Sequence, residues 1–191
     1  MKIKVKCFAV MLFLSLVIYH SLFALCVLCA VIIHELGHIF AAKHLNINIS
    51  ECKIDIFGAS LSPEFNNFSY KNEIVLCACG PLFNIFTSLA IMPFWLLTKQ
   101  EYLLYFILSS LTLALLNLLP IKGFDGGRIC QSILCLISEP HLANRSITII
   151  SFVCILVLWL ISVYLLLIAR SNLSLFVFSI SLFIKIFLNE S

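Results

Sequence analysis

The chain has 191 residues, 62% of them hydrophobic and only 11% charged, against about 45 to 50% apolar and 25% charged in soluble domains. That balance excludes a water-soluble domain, and the apolar residues fall in uncharged runs of the length that crosses a bilayer. The net charge of +3 is accounted for by cations at the ends of those runs, so it makes no case for a nucleic-acid partner.

The first run, Cys7 to His34 and on past Glu35 to Ala42, is long enough for two short spans, with Tyr19, His20 and Ser21 as the turn. Its basic start, Met1 to Lys6, has the look of a signal peptide, but no small-residue cleavage site closes the run, and an uncleaved first span is expected. Between Lys43 and Asn72, Ile47, Ile49, Cys52, Ile54 and Ile56 alternate with polar residues ahead of Phe57-Gly58-Ala59. The period of two predicts a short membrane-associated β-hairpin, with an ordinary interfacial loop as the alternative. An edge strand there would accept an extended substrate through main-chain hydrogen bonds.

Ile74 to Thr98 and Tyr102 to Ile121 give the third and fourth spans, Pro120 to Arg145 a polar connection, and Ser146 to Ala169 the fifth span. Ser171 to Ile184 reaches spanning length only if Lys185 snorkels to the headgroups. The expected fold is an all-α polytopic membrane protein of about six transmembrane helices, with the hairpin between the second and third and five spans as the alternative. Residues 1–191 are expected to form one transmembrane domain.

With six spans and a cytoplasmic N-terminus, Lys2, Lys4, Lys6, Lys43, Lys53, Lys71, Lys122, Arg128, Arg145 and Lys185 fall on the cytoplasmic side, and only Lys99 and Arg170 outside. The nine cysteines lie mostly inside apolar runs and read as small hydrophobes, including the Cys26-x-x-Cys29 pair.

Near the end of the second span stands His34-Glu35-Leu36-Gly37-His38, the H-E-x-x-H pattern. Residues four apart share a helix face, so His34 and His38 can present their rings to one zinc ion with Glu35 close by. Zinc lowers the pKa of a bound water toward about 7, and Glu35 can take that proton, assist attack on a peptide carbonyl and pass a proton to the leaving amine. Ionisable side chains inside a span are expensive and mark function by default.

A catalytic zinc needs a third protein ligand. Glu51, Asp55, Glu64, Glu73, Glu101, Glu139 and Glu190 lie in loops, at span edges or at the terminus, where solvation explains them. Asp125 differs, because it follows Asn117, Pro120 and Gly123 at the end of the fourth span, at the depth of His38, in a segment that can turn back toward the metal. A solvated turn with an incidental Asp is the alternative.

These residues resemble the site-2 protease family of intramembrane metalloproteases, and within it the group that includes stage IV sporulation protein FB. His34-Glu35-Leu-Gly-His38 and Asn117-x-x-Pro120-x-x-x-x-Asp125-Gly126 match its two signatures in order, and Gly80-Pro81-Leu82-Phe83-Asn84 is similar to its G-P-x-x-N element. The resemblance implies one zinc ion held by His34, His38 and Asp125, Glu35 as general base, and water access from the cytoplasmic side. It also implies a membrane-associated protein substrate, such as a tethered sigma-factor precursor; no PDZ-like insertion or C-terminal regulatory domain is expected, so regulation is expected to come from partners or to be absent.

Two positions depart from the pattern: Gly123 stands where many members have a second proline, and Phe124 where they have Leu. Either change could loosen the loop. Asn117 and Asn84 are candidates for holding a substrate strand or the oxyanion through their amides, with a helix-to-helix hydrogen bond as the alternative for each. His20, His44 and His141 have no partner pattern and are expected at the interface. A metal-ion transporter and a non-catalytic scaffold of the same fold remain the competing functions, since His and Asp within spans also build ion paths.

Overall fold

The computed structural model describes residues 22–47, 53–55, 58–60, 69–169, 176 and 179–183. In chain order these form α1 (Leu22–His44), β1 (Lys53–Asp55), β2 (Gly58–Ser60), α2 (Tyr70–Thr98), α3 (Glu101–Asn117), α4 (Asp125–Ile137) and α5 (Pro140–Ala169). The expected first span and the Tyr19-His20-Ser21 turn lie outside the described residues, as does most of the last run.

The expected membrane-associated hairpin between the second and third spans is corrected, whereas the first and sixth of the expected spans fall largely outside the described residues. Among the described residues three helices are long and apolar enough to cross a bilayer, Leu22–His44, Tyr70–Thr98 and Pro140–Ile168. The run read as the fourth span yields only Glu101–Asn117, 17 residues, or about 26 Å at 1.5 Å per residue. Its helix stops three residues before Pro120, which cannot continue it. Among the described residues strand pairing is three residues a side, Lys53–Asp55 against Gly58–Ser60. A ladder so short supplies no membrane-associated sheet and no edge for substrate, and the domain is helical.

The helices are built inside out relative to a soluble bundle. On α1 the buried positions are Ala30, His34, Gly37, Ala41 and Ala42, a stripe of small residues and one ligand-type side chain. Leu25, Ile32, Leu36 and Phe40 point outward. On α2 the buried face is Leu76, Cys77, Gly80, Pro81, Asn84 and Ser88, and Phe86, Leu89, Phe94 and Leu97 are exposed. Lipid is as apolar as leucine, so burying leucine gains little in a bilayer, and helices instead approach through small residues and polar contacts. The chain is an integral membrane protein.

Helix α2 is central, packing against α1, α3 and α4, while α5 packs on α4. Its start is capped by Ser69, whose side chain accepts the Lys71 amide. The stretch Pro120 to Arg145, expected as a polar connection, instead contains α4, a strongly amphipathic helix whose first residue is Asp125.

The loop ahead of α4 is anchored on α5. Ile121 and Phe124 are buried with Ile155 and Leu182, and the Lys122 amide donates to Ser151 Oγ at 2.8 Å. Phe124 is thus an anchor for the loop. Gly123 adopts φ 97°, which proline, fixed near about −65°, cannot reach. A Cβ at Gly126 would meet the Leu118 carbonyl oxygen, and one at Gly127 that of Ile121. The two glycines therefore let the loop fold flat onto the first turn of α4, and this carries Asp125 inward.

Candidate active site

Three side chains from two helices converge in the interior. His34 and His38 stand one turn apart on α1, and Asp125 enters from the first turn of α4. His34 Nε2 lies 3.2 Å from His38 Nε2, and Asp125 Oδ2 lies 3.1 Å from the first and 3.3 Å from the second. The three atoms form a nearly equilateral triangle. Ligands about 2.0 to 2.1 Å from a tetrahedral zinc ion are about 3.3 Å apart from each other, so the triangle is one face of such a site. Asp125 is 2% and His34 5% exposed, too deep for solvation to explain either.

The hydrogen bonding fits a cation at the same point. Asp125 Oδ2 is buried without a hydrogen-bond donor, although both imidazoles are near. An oxygen that accepts no proton in a dry site is one with its lone pairs left for a metal. His38 Nδ1 lies 2.9 Å from the Leu76 carbonyl, to which it donates, and this fixes the tautomer that leaves Nε2 as an acceptor.

Glu35 is half-buried beside His34 and close enough to His38 to interact with it electrostatically. Asn117 ends α3, with its Nδ2 donating to the Leu113 carbonyl at 3.1 Å. Asn84 is wholly buried on α2, and neither its oxygen nor its nitrogen has a protein partner. His44 is exposed at the end of α1 and His141 pairs with Glu139 at the surface; His20 lies outside the described residues.

Gly80 has a role that its place in a G-P-x-x-N string does not disclose. A Cβ on it would strike His38 Nε2 and come to 3.0 Å from His34 Cε1. Gly80→Ala should therefore push the imidazoles apart. Metal affinity is expected to fall about 10- to 100-fold, with overpacking costing about 1 to 3 kcal/mol of stability. Metal titration beside a thermal melt of the purified variant checks both.

The profile of peptidase family M50 matches residues 22–101 and 96–161, taking in both histidines and Asp125. The chain belongs to peptidase family M50. Among its relatives, stage IV sporulation protein FB of Bacillus subtilis is 32% identical over 122 residues, 61% of this chain. A protein described as a zinc metalloprotease, from Methanocaldococcus jannaschii, is 30% identical over 111 residues, 55% of this chain. These matches span only 41% and 32% of the relatives' own lengths. The M50 chain also shares the fold of a site-2 protease from M. jannaschii, with a TM-score of 0.65 at 21% identity over 94% of this chain and 84% of the other.

Sequence reasoning passed over three residues next to this M50 site. Glu73, set aside as a solvated span edge, accepts hydrogen bonds from Arg128 and Ser132 of α4. No local pattern signals a pair 55 residues apart.

Proposed function

We propose that this M50 chain is an intramembrane zinc metalloprotease that hydrolyses a peptide bond of a membrane-associated protein. The observation that carries it is the triangle of His34 Nε2, His38 Nε2 and Asp125 Oδ2, edges 3.1 to 3.3 Å, beside a half-buried Glu35. His34, His38 and Asp125 are the metal-holding residues. A zinc ion bound there would supply Lewis-acid polarisation of the scissile carbonyl and acidify water.

The chain's own groups do the rest. The Glu35 carboxylate takes a proton from the attacking water and gives it to the departing amine nitrogen. On this reading Asn117 turns its amide from the Leu113 carbonyl to a substrate carbonyl once an extended segment enters, exchanging one hydrogen bond for another. On the same reading Asn84, buried with both side-chain amide atoms unmatched, offers them to a substrate strand. The low dielectric around the site strengthens each of these contacts.

The site faces the cytoplasm in this proposal. Lys43 at the end of α1, Lys71 at the start of α2, and Lys122, Arg128 and Arg145 around α4 are all at the site's end of the bundle. Lys99 lies at the far end of α2, and cytoplasmic ends carry the cations. Residues 1–191 act as a single protease domain on this account. A membrane-tethered transcription-factor precursor, such as a sporulation pro-sigma factor, is the proposed substrate class, with a membrane inhibitor or regulator as a further partner.

Co-expression with a tagged candidate precursor tests the activity. Membranes from such cells should cleave it, lose cleavage with a zinc chelator, and regain it on adding zinc back. Cleavage indifferent to the chelator would exclude the metal mechanism.

A further inference from the structure

Helix α2 carries no metal-holding residue, yet it contacts both halves of the metal cradle. On α2, the Leu76 carbonyl receives His38 Nδ1 and Gly80 abuts both imidazoles. One turn earlier, Glu73 grips α4. Its Oε1 accepts from Arg128 Nε at 3.3 Å and Nη2 at 3.1 Å, and its Oε2 accepts from Ser132 Oγ at 2.9 Å. The pair is mostly shielded from water, with the Arg128 and Glu73 side chains 12% and 23% exposed. Arg128 and Ser132 lie one and two turns beyond Asp125 on the same helix.

We propose that Glu73, Arg128 and Ser132 form a positioning clamp that fixes α4, and so Asp125 Oδ2, at ligand distance from His34 and His38. This rests on the metal-site proposal above. Asp125 is the first residue of α4 and follows an irregular loop, so its depth depends on where α4 is pinned along α2. A site of this kind tolerates little slack, since a displacement of about 1 Å at a reacting group is costly. The clamp meets that need with charge-assisted bonds to both carboxylate oxygens. Removing either charged partner leaves the other half-buried and uncompensated.

The test uses the full chain in detergent or nanodiscs, titrated with Co2+ and followed by visible absorption, so that no substrate is needed. Glu73→Gln keeps the shape and removes the charge; it should lower Co2+ affinity about 10- to 100-fold and weaken the absorption of the four-coordinate site, at unchanged helix content. Arg128→Lys, which keeps the charge but not the two-nitrogen contact, should fall between it and the unaltered protein.

The deciding comparison repeats Glu73→Gln on an Asp125→Asn background. If the clamp acts through Asp125, the second change should cost less than about twofold more. An equal loss in both backgrounds, or an unaltered spectrum in Glu73→Gln, overturns the clamp while leaving the metal site standing. An unaltered chain that binds no Co2+ overturns the metal site and the clamp with it.

Discussion

Glu35→Gln is expected to abolish proteolysis and leave the metal bound. Glu35 contributes no atom to the triangle of His34, His38 and Asp125, so its loss removes none of the three atoms aimed at the cation. Glutamine occupies nearly the same volume at this half-buried position but has no basic oxygen at neutral pH, so it can neither take the water proton nor return it to the amine. A positioned general base is worth about 10² to 10⁴ in rate, which for slow proteolysis within a membrane means no detectable product. Cleavage of a tagged substrate, scored beside zinc content of the purified protein, reads both halves of the expectation. Full zinc without cleavage is the protease result. Retained cleavage would remove Glu35 from the mechanism, and metal transport that survives the substitution would favour a transporter.

The parts of this site that sequence reveals are those set by local chemistry. His34, Glu35 and His38 are visible because a helix places residues four apart on one face and because lipid makes such side chains costly. Asp125 is visible because the proline and glycines around it break the run of apolar residues at the right depth. Helix α4 is hidden for the same reason. Gly126, Gly127, Arg128, Gln131 and Ser132 read as a connection when the surroundings are apolar, yet they start a helix whose polar face is satisfied by α2 and whose first turn is favourable for an acidic residue. Glu73 is hidden because its partners arrive from 55 and 59 residues away, which only the packing of α4 on α2 decides. The alternation from Ile47 to Ala59 reads as a short hairpin, but alternation measures facing and not extent, and among the described residues three a side pair.

Asp125→Asn separates what this carboxylate does for the fold from what it does for the metal, and the two effects are expected to have opposite signs. In the metal-free protein the charge is 2% exposed and its Oδ2 accepts no hydrogen bond, so it is poorly compensated by its surroundings. Asparagine removes that charge at nearly constant volume, giving up about 0.3 to 1 kcal/mol of interaction with the N-terminus of α4. Metal-free Asp125→Asn should therefore melt at or above the temperature of the metal-free parent. Saturating zinc reverses the order. Stabilisation by a ligand grows as the logarithm of its concentration over Kd, reaching about 2.7 kcal/mol at 100 times Kd. Loss of an anionic ligand should weaken binding beyond the roughly 10- to 100-fold typical of changes behind the ligands, so zinc at that concentration should shift the parent strongly and the variant hardly at all. Thermal melts with and without zinc give the four values needed. A variant that melts well below the parent without metal would make Asp125 a structural residue first, and a zinc shift as large as the parent's would strike it from the ligand set.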